Sequence, residues 1–439
     1  MRGDYLKKQG CSHPSVSVKG RPVRLLSNLL KKFIRNGTLH LYDSTGLLHV
    51  FGGQGPGPSV TARIHDAALE RKLFLNPELY AAEAYMDGTL TFENDSTVRD
   101  FILLFSVNRS GLASHGSQRA LRKLWRWLRR WHQANPVGTA AKNARAHYDV
   151  STEVYRLFLD RDMQYSCAYF ADPDNETLEQ AQQKKLIHAT AKLNLKPGMT
   201  VAEIGCGWGG FALHIAKTTG AHVTAINVSP EQLRVCRERA KEQNLEHLVD
   251  FREIDYRNLD GQFDRVVSVG MMEHVGIGHL DEYFGKVRDL LKPEGYAFIH
   301  CIGRNTPPGT TGPFIRKYIF PGAYVPALSE VFAAVERCGL WTADMEILRL
   351  HYTYTIRHWR ERFAKNRAKA AEIYDERFCR MWEFYLAAVE LEFLHGSHMV
   401  FQILIARTRD AVPIRRDFMF DAEREALKAF TKSEERGDA

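Results

Sequence analysis

The sequence of 439 residues lacks the features that mark a membrane-spanning, secreted or metal-binding protein. It has no uncharged apolar run of the ~20 residues that a transmembrane helix needs, and no signal-peptide pattern opens it. Its seven cysteines are an odd number without the paired spacing of a zinc site. Internal repeats and low-complexity tracts are also missing. We therefore expect a cytoplasmic enzyme with reduced thiols and no metal ion.

An excess of basic residues gives the chain a formal net charge of +8, which predicts attraction to an anionic partner. Nucleic acid and the phospholipid surface of a membrane both fit that charge. Basic residues and tryptophan concentrate in residues 119–132, whose apolar positions recur at helical spacing. This amphipathic helix fits either an anionic membrane interface or packing within its own domain with solvated arginines. A second basic run, Leu25–Ile34, leaves the same two interpretations open.

A glycine-rich turn between a strand and a helix is the most informative stretch of the chain. The apolar strand Val201–Ile204 runs into Gly205, Gly207 and Gly209, and an apolar run with helical spacing follows. Such turns let backbone amides approach a dinucleotide, a mononucleotide or S-adenosylmethionine. The next strand ends in Asn227 instead of the acidic ribose ligand of a dinucleotide fold. That residue argues against NAD, and the GxGxG spacing favours S-adenosylmethionine.

Strands alternate with helices downstream, at the spacing of a doubly wound sheet. The predicted strands span 201–204, 221–229, 250–255, 263–270, 296–302 and 399–406. Because ligands of open parallel sheets bind at the carboxyl edge of the strands, Tyr256, Val269, Glu273 and His274 are expected in the same crevice as the glycine turn. His300 lies on the following strand and approaches the same edge. The sequence therefore predicts one site built from several strand ends.

Together these motifs resemble the cyclopropane-fatty-acyl-phospholipid synthase family, and the resemblance spans nearly the whole chain. The motifs that carry it are His147–Val150, Met163–Tyr169, Glu203–Gly210, Met271–Gly276, Leu291–Gly295 and Lys317–Pro321. Many methyltransferases share the glycine turn, whereas the segment QYSCAY before it and EHVG after it are typical of this family. The segment Glu83–Gly88 is similar to the accessory domain of the bacterial synthases.

The resemblance implies two sets of site residues. Those implied for the S-adenosylmethionine pocket are Tyr165, Ser166, Gly205, Gly207, Asn227, Gln232, Tyr256 and Val269. Those implied for the reactive centre, which would hold a bicarbonate ion, are Cys167, Glu273, His300, Ile302 and Tyr352. Asn227 and Tyr256 depart from the threonine and tryptophan of mycobacterial relatives but can still hydrogen-bond or stack. Met272 stands where relatives often carry phenylalanine and is expected to affect only the acyl channel.

The expected fold is α/β, with a class I methyltransferase domain of Rossmann type and a smaller N-terminal α+β accessory domain. Four segments are predicted. Residues 1–110 form the accessory domain for lipid docking or dimerisation, 111–139 a basic amphipathic linker helix, 140–410 the S-adenosylmethionine-dependent catalytic domain, and 411–439 a charged C-terminal tail. A hairpin is predicted in the first segment, from Thr38–Tyr42 to Leu47–Phe51. Residues 303–326 have the glycines, prolines and cations of a lid beside the acyl entrance.

The resemblance implies transfer of a methyl carbon from S-adenosylmethionine to the cis double bond of unsaturated phospholipid acyl chains. The product would be a cyclopropane ring, with bicarbonate as proton acceptor. A related fatty-acid or small-amine methyltransferase that stops at simple methylation is the first alternative, and a noncatalytic lipid-binding protein is the second. We expect peripheral association with the anionic inner face of the membrane and no nucleic acid partner. A homodimer is one candidate assembly.

Overall fold

The computed structural model of the protein describes residues 23–109 and 150–436. Three predictions therefore fall outside the described residues. They are the basic amphipathic helix within 111–139, the boundary between the two domains, and most of the His147–Val150 motif.

The N-terminal part combines helices with a small sheet. Its elements are α1 (Val23–Phe33), β1 (Asn36–Tyr42), β2 (Leu48–Gly52), β3 (Gly55–Ile64), α2 (Ala67–Leu75), α3 (Pro77–Met86), β4 (Leu90–Glu93) and α4 (Val98–Val107). The four-stranded sheet has the order β2-β1-β3-β4. β1 runs antiparallel to β2 and parallel to β3, and β4 closes the other edge antiparallel to β3.

Local sequence explains two features of this part. The predicted hairpin is confirmed, since Leu41 pairs with His49 across β1 and β2. Its turn is held by Asp43, whose Oδ1 accepts hydrogen bonds from the backbone amides of Thr45 and Leu47. The basic run Leu25–Ile34 largely coincides with α1, and its apolar face is buried in the core of this part. For that run the structure therefore supports packing within its own domain, with part of the apolar face lining an internal cavity.

The C-terminal part is a doubly wound α/β structure, as the sequence predicts. Its elements are α5 (Thr152–Arg156), α6 (Leu178–Leu193), β5 (Thr200–Ile204), α7 (Gly210–Thr219), β6 (His222–Asn227), α8 (Pro230–Glu242), β7 (Val249–Glu253), β8 (Phe263–Val269), α9 (Leu280–Leu290), β9 (Leu291–Arg304), α10 (Leu328–Arg337), β10 (Trp341–Ile347), α11 (His351–Lys365), α12 (Arg367–Ile373), α13 (Glu376–His395), β11 (His398–Ala406) and α14 (Asp417–Arg436). The seven-stranded sheet has the order β10-β11-β9-β8-β5-β6-β7. The run from β9 to β7 is parallel, and β11 is antiparallel to both of its neighbours.

Capping residues in the sequence set where several helices begin. Thr177 and Gln180 form a capping box at the start of α6. Ser229 caps α8, which has Pro230 at its first position, and Asp375 caps α13. These helices cover a sheet whose central strands are buried almost throughout. For this reason those strands are nearly continuous apolar runs in the sequence.

The two parts are joined by packing of α13 against α3 and α4, and by ion pairs. Glu390 on α13 is fully buried and accepts hydrogen bonds from Arg99 at 2.8 Å and from Arg360 at 2.7 Å. Glu83 on α3 accepts hydrogen bonds from Lys317 at 2.6 Å and from the Tyr318 hydroxyl. A buried carboxylate is tolerated only when it is paired in this way, so these contacts fix how the parts meet.

The predicted C-terminal tail, 411–439, needs a correction. Its residues 417–436 form α14, which packs along α6 of the C-terminal part. Met419 of this helix is buried, and Glu423 lies 2.9 Å from Nδ1 of His188. The sequence indicated only a charged tail, because the few apolar residues that anchor the helix are spread along it.

Candidate active site

A cavity lies at the carboxyl ends of β5, β6 and β8, where the sequence analysis expects it. All of the residues predicted for the cofactor pocket line it: Tyr165, Ser166, Gly205, Gly207, Asn227, Gln232, Tyr256 and Val269. His274 lines it as well, as the expected crevice requires. We call it the cofactor cavity. Strands that are distant in sequence meet here because they are parallel and end at one edge.

The glycines of the turn serve different purposes. All three have positive φ, with +83° at Gly205, +53° at Gly207 and +80° at Gly209. A Cβ at Gly205 would lie 3.0 Å from the side chain of Met271, and one at Gly209 would lie 2.9 Å from Phe251. A Cβ at Gly207 would meet no heavy atom of the protein within 4 Å. The backbone of Gly207 therefore faces open space at the wall of the cavity, where a ligand can approach it.

The side chain of Asn227 is committed to the protein. Its Nδ2 donates to the carbonyl of Gly207 at 3.1 Å and to Oε1 of Gln232 at 2.8 Å, while its Oδ1 accepts from the Val228 amide. A carboxylate could not donate either of the first two bonds, which explains why an amide stands here. The arrangement leaves the buried Nε2 of Gln232 without a hydrogen-bond partner among the described residues. Gln232 thus offers the cavity a donor, and Asn227 holds the turn.

Two buried ionisable groups behind the cofactor cavity were missed. Glu203 lines it, and burial raises the pKa of Glu203 to about 8. Its Oε2 has no partner in the part of the chain that the structure describes. Lys185 on α6 contacts Ser166 at 3.0 Å and also Gln164, and burial lowers the pKa of Lys185 to about 8. Glu203 stands in the glycine-turn motif and could have been found there, whereas nothing local distinguishes Lys185 from a solvated helical lysine.

A second, larger cavity of about 580 Å³ runs from this point into the N-terminal part. The two cavities share Tyr165, Ser166, Gly270 and His274. We call the larger one the acyl cavity. Its N-terminal half is mostly apolar, and the side chains that line it there are Leu26, Leu29, Leu30, Phe33, Leu39, Leu41, Leu73, Ala81, Leu90, Phe101, Ile102 and Phe105. Nothing in the sequence suggested that these leucines face a cavity, because a buried stripe on a helix normally packs against the core.

All of the residues predicted for the reactive centre line the acyl cavity: Cys167, Glu273, His300, Ile302 and Tyr352. The Ile302 amide donates to Oε1 of Glu273 at 2.6 Å, so this amide orients the carboxyl group and does not itself face the cavity. Oε2 of Glu273 has no nitrogen or oxygen partner among the described residues. Burial raises the pKa of Glu273 to about 6, so the group is mainly ionised at neutral pH.

The remaining side chains at the centre are constrained by burial and by aromatic packing. Burial raises the pKa of the Cys167 thiol, which donates to its neighbour's carbonyl at 3.3 Å. A thiol in that environment is a poor nucleophile. Tyr352 packs against the rings of Trp359 and Phe393. The hydroxyl groups of Tyr165 and Tyr385 are 2.8 Å apart, so Tyr385 contacts a side chain that lines both cavities.

The segment predicted as a lid, 303–326, contributes part of the cavity wall. Thr310–Pro313, Phe320 and Ala323–Val325 line the acyl cavity, and a π-helical turn spans Ile315–Ile319. Lys317 in this turn pairs with Glu83 of the N-terminal part, so its charge is not simply solvated.

The sequence predicts neither a membrane-spanning helix nor a metal site, and two findings on these points concern the described ranges, 23–109 and 150–436. No helix there combines the length and apolar character that crossing a bilayer requires. Histidine, cysteine and acidic side chains in the same ranges form no group of three or more that could hold a metal ion.

The comparisons with known proteins agree with this geometry. A family model described as mycolic acid cyclopropane synthetase matches residues 137–403. The chain belongs to this family. It is 38% identical over 361 residues to a probable fatty acid methyltransferase of Pseudomonas putida, covering 80% of this chain and 88% of the relative. It is 40% identical over 263 residues to cyclopropane-fatty-acyl-phospholipid synthase of Escherichia coli (strain K12), covering 60% of this chain and 67% of that protein.

A solved structure of a family relative is similar as well. The mycolic acid cyclopropane synthase CmaA1 complexed with SAH and CTAB matches with a TM-score of 0.58 and is 28% identical, covering 62% of this chain and 99% of that chain. The class I methyltransferase fold and the family resemblance are therefore confirmed. Membership in this family supports S-adenosylmethionine as the cofactor.

Proposed function

We propose that this protein transfers the methyl carbon of S-adenosylmethionine to the cis double bond of an unsaturated phospholipid acyl chain and forms a cyclopropane ring. The observation that carries the proposal is the junction of the two cavities. The cofactor cavity meets a long apolar cavity at Tyr165, Ser166, Gly270 and His274, and the candidate reactive residues surround that junction. A methyl donor and a lipid chain can meet there and nowhere along the rest of either cavity.

The polar atoms of the cofactor-cavity residues that have no hydrogen-bond partner among the described residues fit S-adenosylmethionine. The buried Oε2 of Glu203 suits the ammonium group of its methionine part, and Nε2 of Gln232 supplies a donor. The open face of Gly207 lets the ligand contact the backbone. When bound, S-adenosylmethionine would supply the electrophilic methyl carbon that a weakly nucleophilic alkene requires.

The walls of the junction suit the charge that develops on the lipid. Addition of the methyl group to one alkene carbon leaves its neighbour cationic. The rings of Tyr165, Phe320, Tyr352 and Phe384 line the acyl cavity, Tyr165 at the junction itself, and aromatic faces attract cations. The same apolar walls exclude water, which would otherwise trap the cation as an alcohol.

A bicarbonate ion held at the reactive centre fits the remaining requirement, a base for a proton of the new methyl group. Oε2 of Glu273 has no hydrogen-bond partner among the described residues and would accept the O–H of bicarbonate, because the Ile302 amide occupies only Oε1. His300 and Tyr352 would donate to its anionic oxygens. The buried Cys167 would supply a small contact beside it. Loss of the proton then closes the ring.

Product analysis tests the proposed function directly. We expect that expression in a host that lacks the activity will add one CH2 to its unsaturated phospholipid chains, detected by mass spectrometry. Mass alone does not distinguish a ring from a branch, so proton NMR of the ring methylene should accompany it. The similarity to a probable fatty acid methyltransferase supports simple methylation as a second candidate, and a methyl-branched product without a ring would establish it instead.

The apolar lining of the N-terminal half supports a second proposal, that the methyl end of the acyl chain lies between α1, β1 and α3. Ala81→Phe would place a ring in this half of the cavity. We expect turnover of long chains to fall ~10-fold or more relative to chains shortened on the methyl side, since each methylene excluded from a pocket costs about 1–3 kcal/mol. Competition between two such phospholipids measures the ratio.

The matched control for this variant is Ala68→Phe, at an exposed position of α2 in the same part of the protein. It should leave the length preference unchanged. An unaltered preference in Ala81→Phe would contradict the placement of the chain, without bearing on the cyclopropane product.

Membrane association is a separate proposal that rests on charge. Replacing Arg122, Arg126, Arg129 and Arg130 with glutamine should weaken binding to anionic vesicles more than binding to neutral ones, and added salt should mimic the change. Sedimentation with vesicles measures both. The control removes as much charge elsewhere, at the exposed side chains of Arg234, Arg409, Arg415 and Arg424. Equal losses in the two variants would mean that only net charge matters.

A further inference from the structure

A line of buried polar side chains leads away from the reactive centre on the side opposite the acyl cavity. Gln402 on β11 pairs in register with His300 on β9, and its Nε2 lies 3.2 Å from Nδ1 of the imidazole. Oε1 of Gln402 accepts from the ammonium group of Lys192 at 2.5 Å. All three side chains are buried. Polar groups in such positions stabilise a fold only when their hydrogen bonds are complete, so their partners define their orientation.

The line continues to the C-terminal helix. Lys192 forms an ion pair with Glu346 on β10, and Oε2 of Glu346 lies 2.7 Å from Nε2 of His188. Nδ1 of His188 lies 2.9 Å from Glu423 on α14. We call the series Gln402, Lys192, Glu346, His188 and Glu423 the relay. Its residues lie on β11, α6, β10 and α14 and lead to His300 on β9, and the sequence gives no local sign of the series.

The chemistry of the donors fixes the direction of the first two bonds. An ammonium group can only donate, so the atom of Gln402 that faces Lys192 must be its oxygen. The NH2 group of Gln402 must then face His300, and Nδ1 of the imidazole must accept. A neutral imidazole that accepts at Nδ1 carries its proton on Nε2. Nε2–H is therefore the polar group that His300 has available for the acyl cavity.

We propose that the relay is a positioning device that holds His300 as the neutral Nε2–H tautomer, so that this side chain serves as a hydrogen-bond donor at the reactive centre. The role assigned to that donor rests on the proposed function above. The tautomer itself follows from the donors and acceptors of the relay alone.

The electrostatics of the relay agree with a neutral imidazole. Burial lowers the pKa of His300 to about 3, and the positive charges of Lys185 and Lys192 act in the same direction. His300 is therefore unsuited to accept the proton that leaves the methyl group. Glu346 stays ionised although it is partly buried, because its contacts with His188 and Lys192 lower its pKa to about 2. It thereby keeps Lys192 charged and Gln402 oriented.

Gln402→Glu tests the proposal with almost no change in shape. The new carboxylate pairs with Lys192 through one oxygen and can only accept with the other, so it draws the imidazole proton to Nδ1. We expect the 15N resonances of His300 in histidine-labelled protein to show a protonated Nδ1, whereas Nδ1 of the unaltered protein is unprotonated. Turnover should fall ~100-fold or more, as when one preorganised donor is removed, with affinity for S-adenosylmethionine retained.

Gln183→Glu is the matched control. Nε2 of Gln183 lies 3.3 Å from Nδ1 of His214, and neither residue lines either cavity. This variant makes the same chemical change beside a different histidine and should leave turnover and the His300 resonances unchanged. A second relay variant, Lys192→Met, frees the amide of Gln402 to rotate and should give a mixture of the two His300 tautomers.

The outcomes separate the relay from the proposed function. A protonated Nδ1 in the unaltered protein, or His300 resonances that do not change in Gln402→Glu, would overturn the proposal. Full turnover in a variant whose His300 is protonated at Nδ1 and unprotonated at Nε2 would overturn the donor role. Failure of the unaltered protein to make a cyclopropane product would refute the proposed function alone, because the resonances are read without any reaction.

Discussion

Glu273→Gln should retain S-adenosylmethionine binding and lose most of its cyclopropane-forming activity. Misplacing the group that organises a proton acceptor commonly costs ~10² to 10⁴ in rate. Product formed from an unsaturated phospholipid measures the loss, and calorimetry with S-adenosylmethionine checks that the cofactor cavity is intact.

The structure supplies a specific reason for so large an effect from an isosteric change. The Ile302 amide donates at 2.6 Å to Oε1 of Glu273, and the glutamine oxygen must take this place because only oxygen can accept. Its NH2 group must then occupy the position of Oε2, which in Glu273 is an acceptor without a hydrogen-bond partner among the described residues. The variant therefore presents a donor where bicarbonate needs an acceptor for its own O–H. Loss of charge and reversal of the hydrogen bond act together.

A matched control separates this effect from the removal of any buried carboxyl group. Glu70 is buried in the N-terminal part, burial raises its pKa, and it lines neither cavity, so Glu70→Gln should leave turnover unchanged. Stripping bicarbonate from the buffer should lower the activity of the unaltered enzyme, and returning it should restore the rate. Near-normal turnover by Glu273→Gln in bicarbonate-free buffer would remove Glu273 from the mechanism.

The cofactor half of the site could be predicted because local signals carry it. The glycine turn identifies one strand end, and the alternation of strands with helices brings Tyr256 and Val269 to the same edge of the sheet. No knowledge of side-chain contacts is needed for that step, since parallel strands place their carboxyl ends together. For the same reason the sequence indicated the positions of Glu273 and His300, although not the hydrogen bonds that they make.

What the sequence could not supply depends on pairing between distant elements. The contact of Gln402 with His300 follows from the register of β11 against β9, and periodicity does not determine register across an antiparallel pair. Lys192 and Glu423 are charged residues on amphipathic helices, where solvation is the ordinary expectation. The acyl cavity could not be predicted for a similar reason. An apolar stripe such as that of α1 has the same sequence pattern whether it faces a packed core or a cavity.

Gly207→Val should lower the affinity for S-adenosylmethionine by at least ~100-fold. A β-branched residue at a φ of +53° is strained, and its side chain would enter the open space at the wall of the cofactor cavity. The turn cannot easily move away, because the Gly207 carbonyl is held by Nδ2 of Asn227 at 3.1 Å and by the thiol of Cys236 at 3.4 Å. Calorimetry on the folded variant measures the loss.

Backbone strain at Gly207→Val must be distinguished from obstruction of the cofactor cavity. A substitution at Gly339 makes this possible. It has a φ of +68°, a Cβ there would also meet nothing within 4 Å, and it lies in an exposed turn away from both cavities. Gly339→Val should therefore lose a similar ~1–2 kcal/mol of folding stability and bind S-adenosylmethionine normally. Gly205→Val is a weaker test, since its Cβ would press against Met271 before it reached the cofactor. If Gly207→Val and Gly339→Val have equal stability and equal affinity, the cofactor does not approach the backbone at Gly207, and the binding geometry proposed for this cavity is wrong.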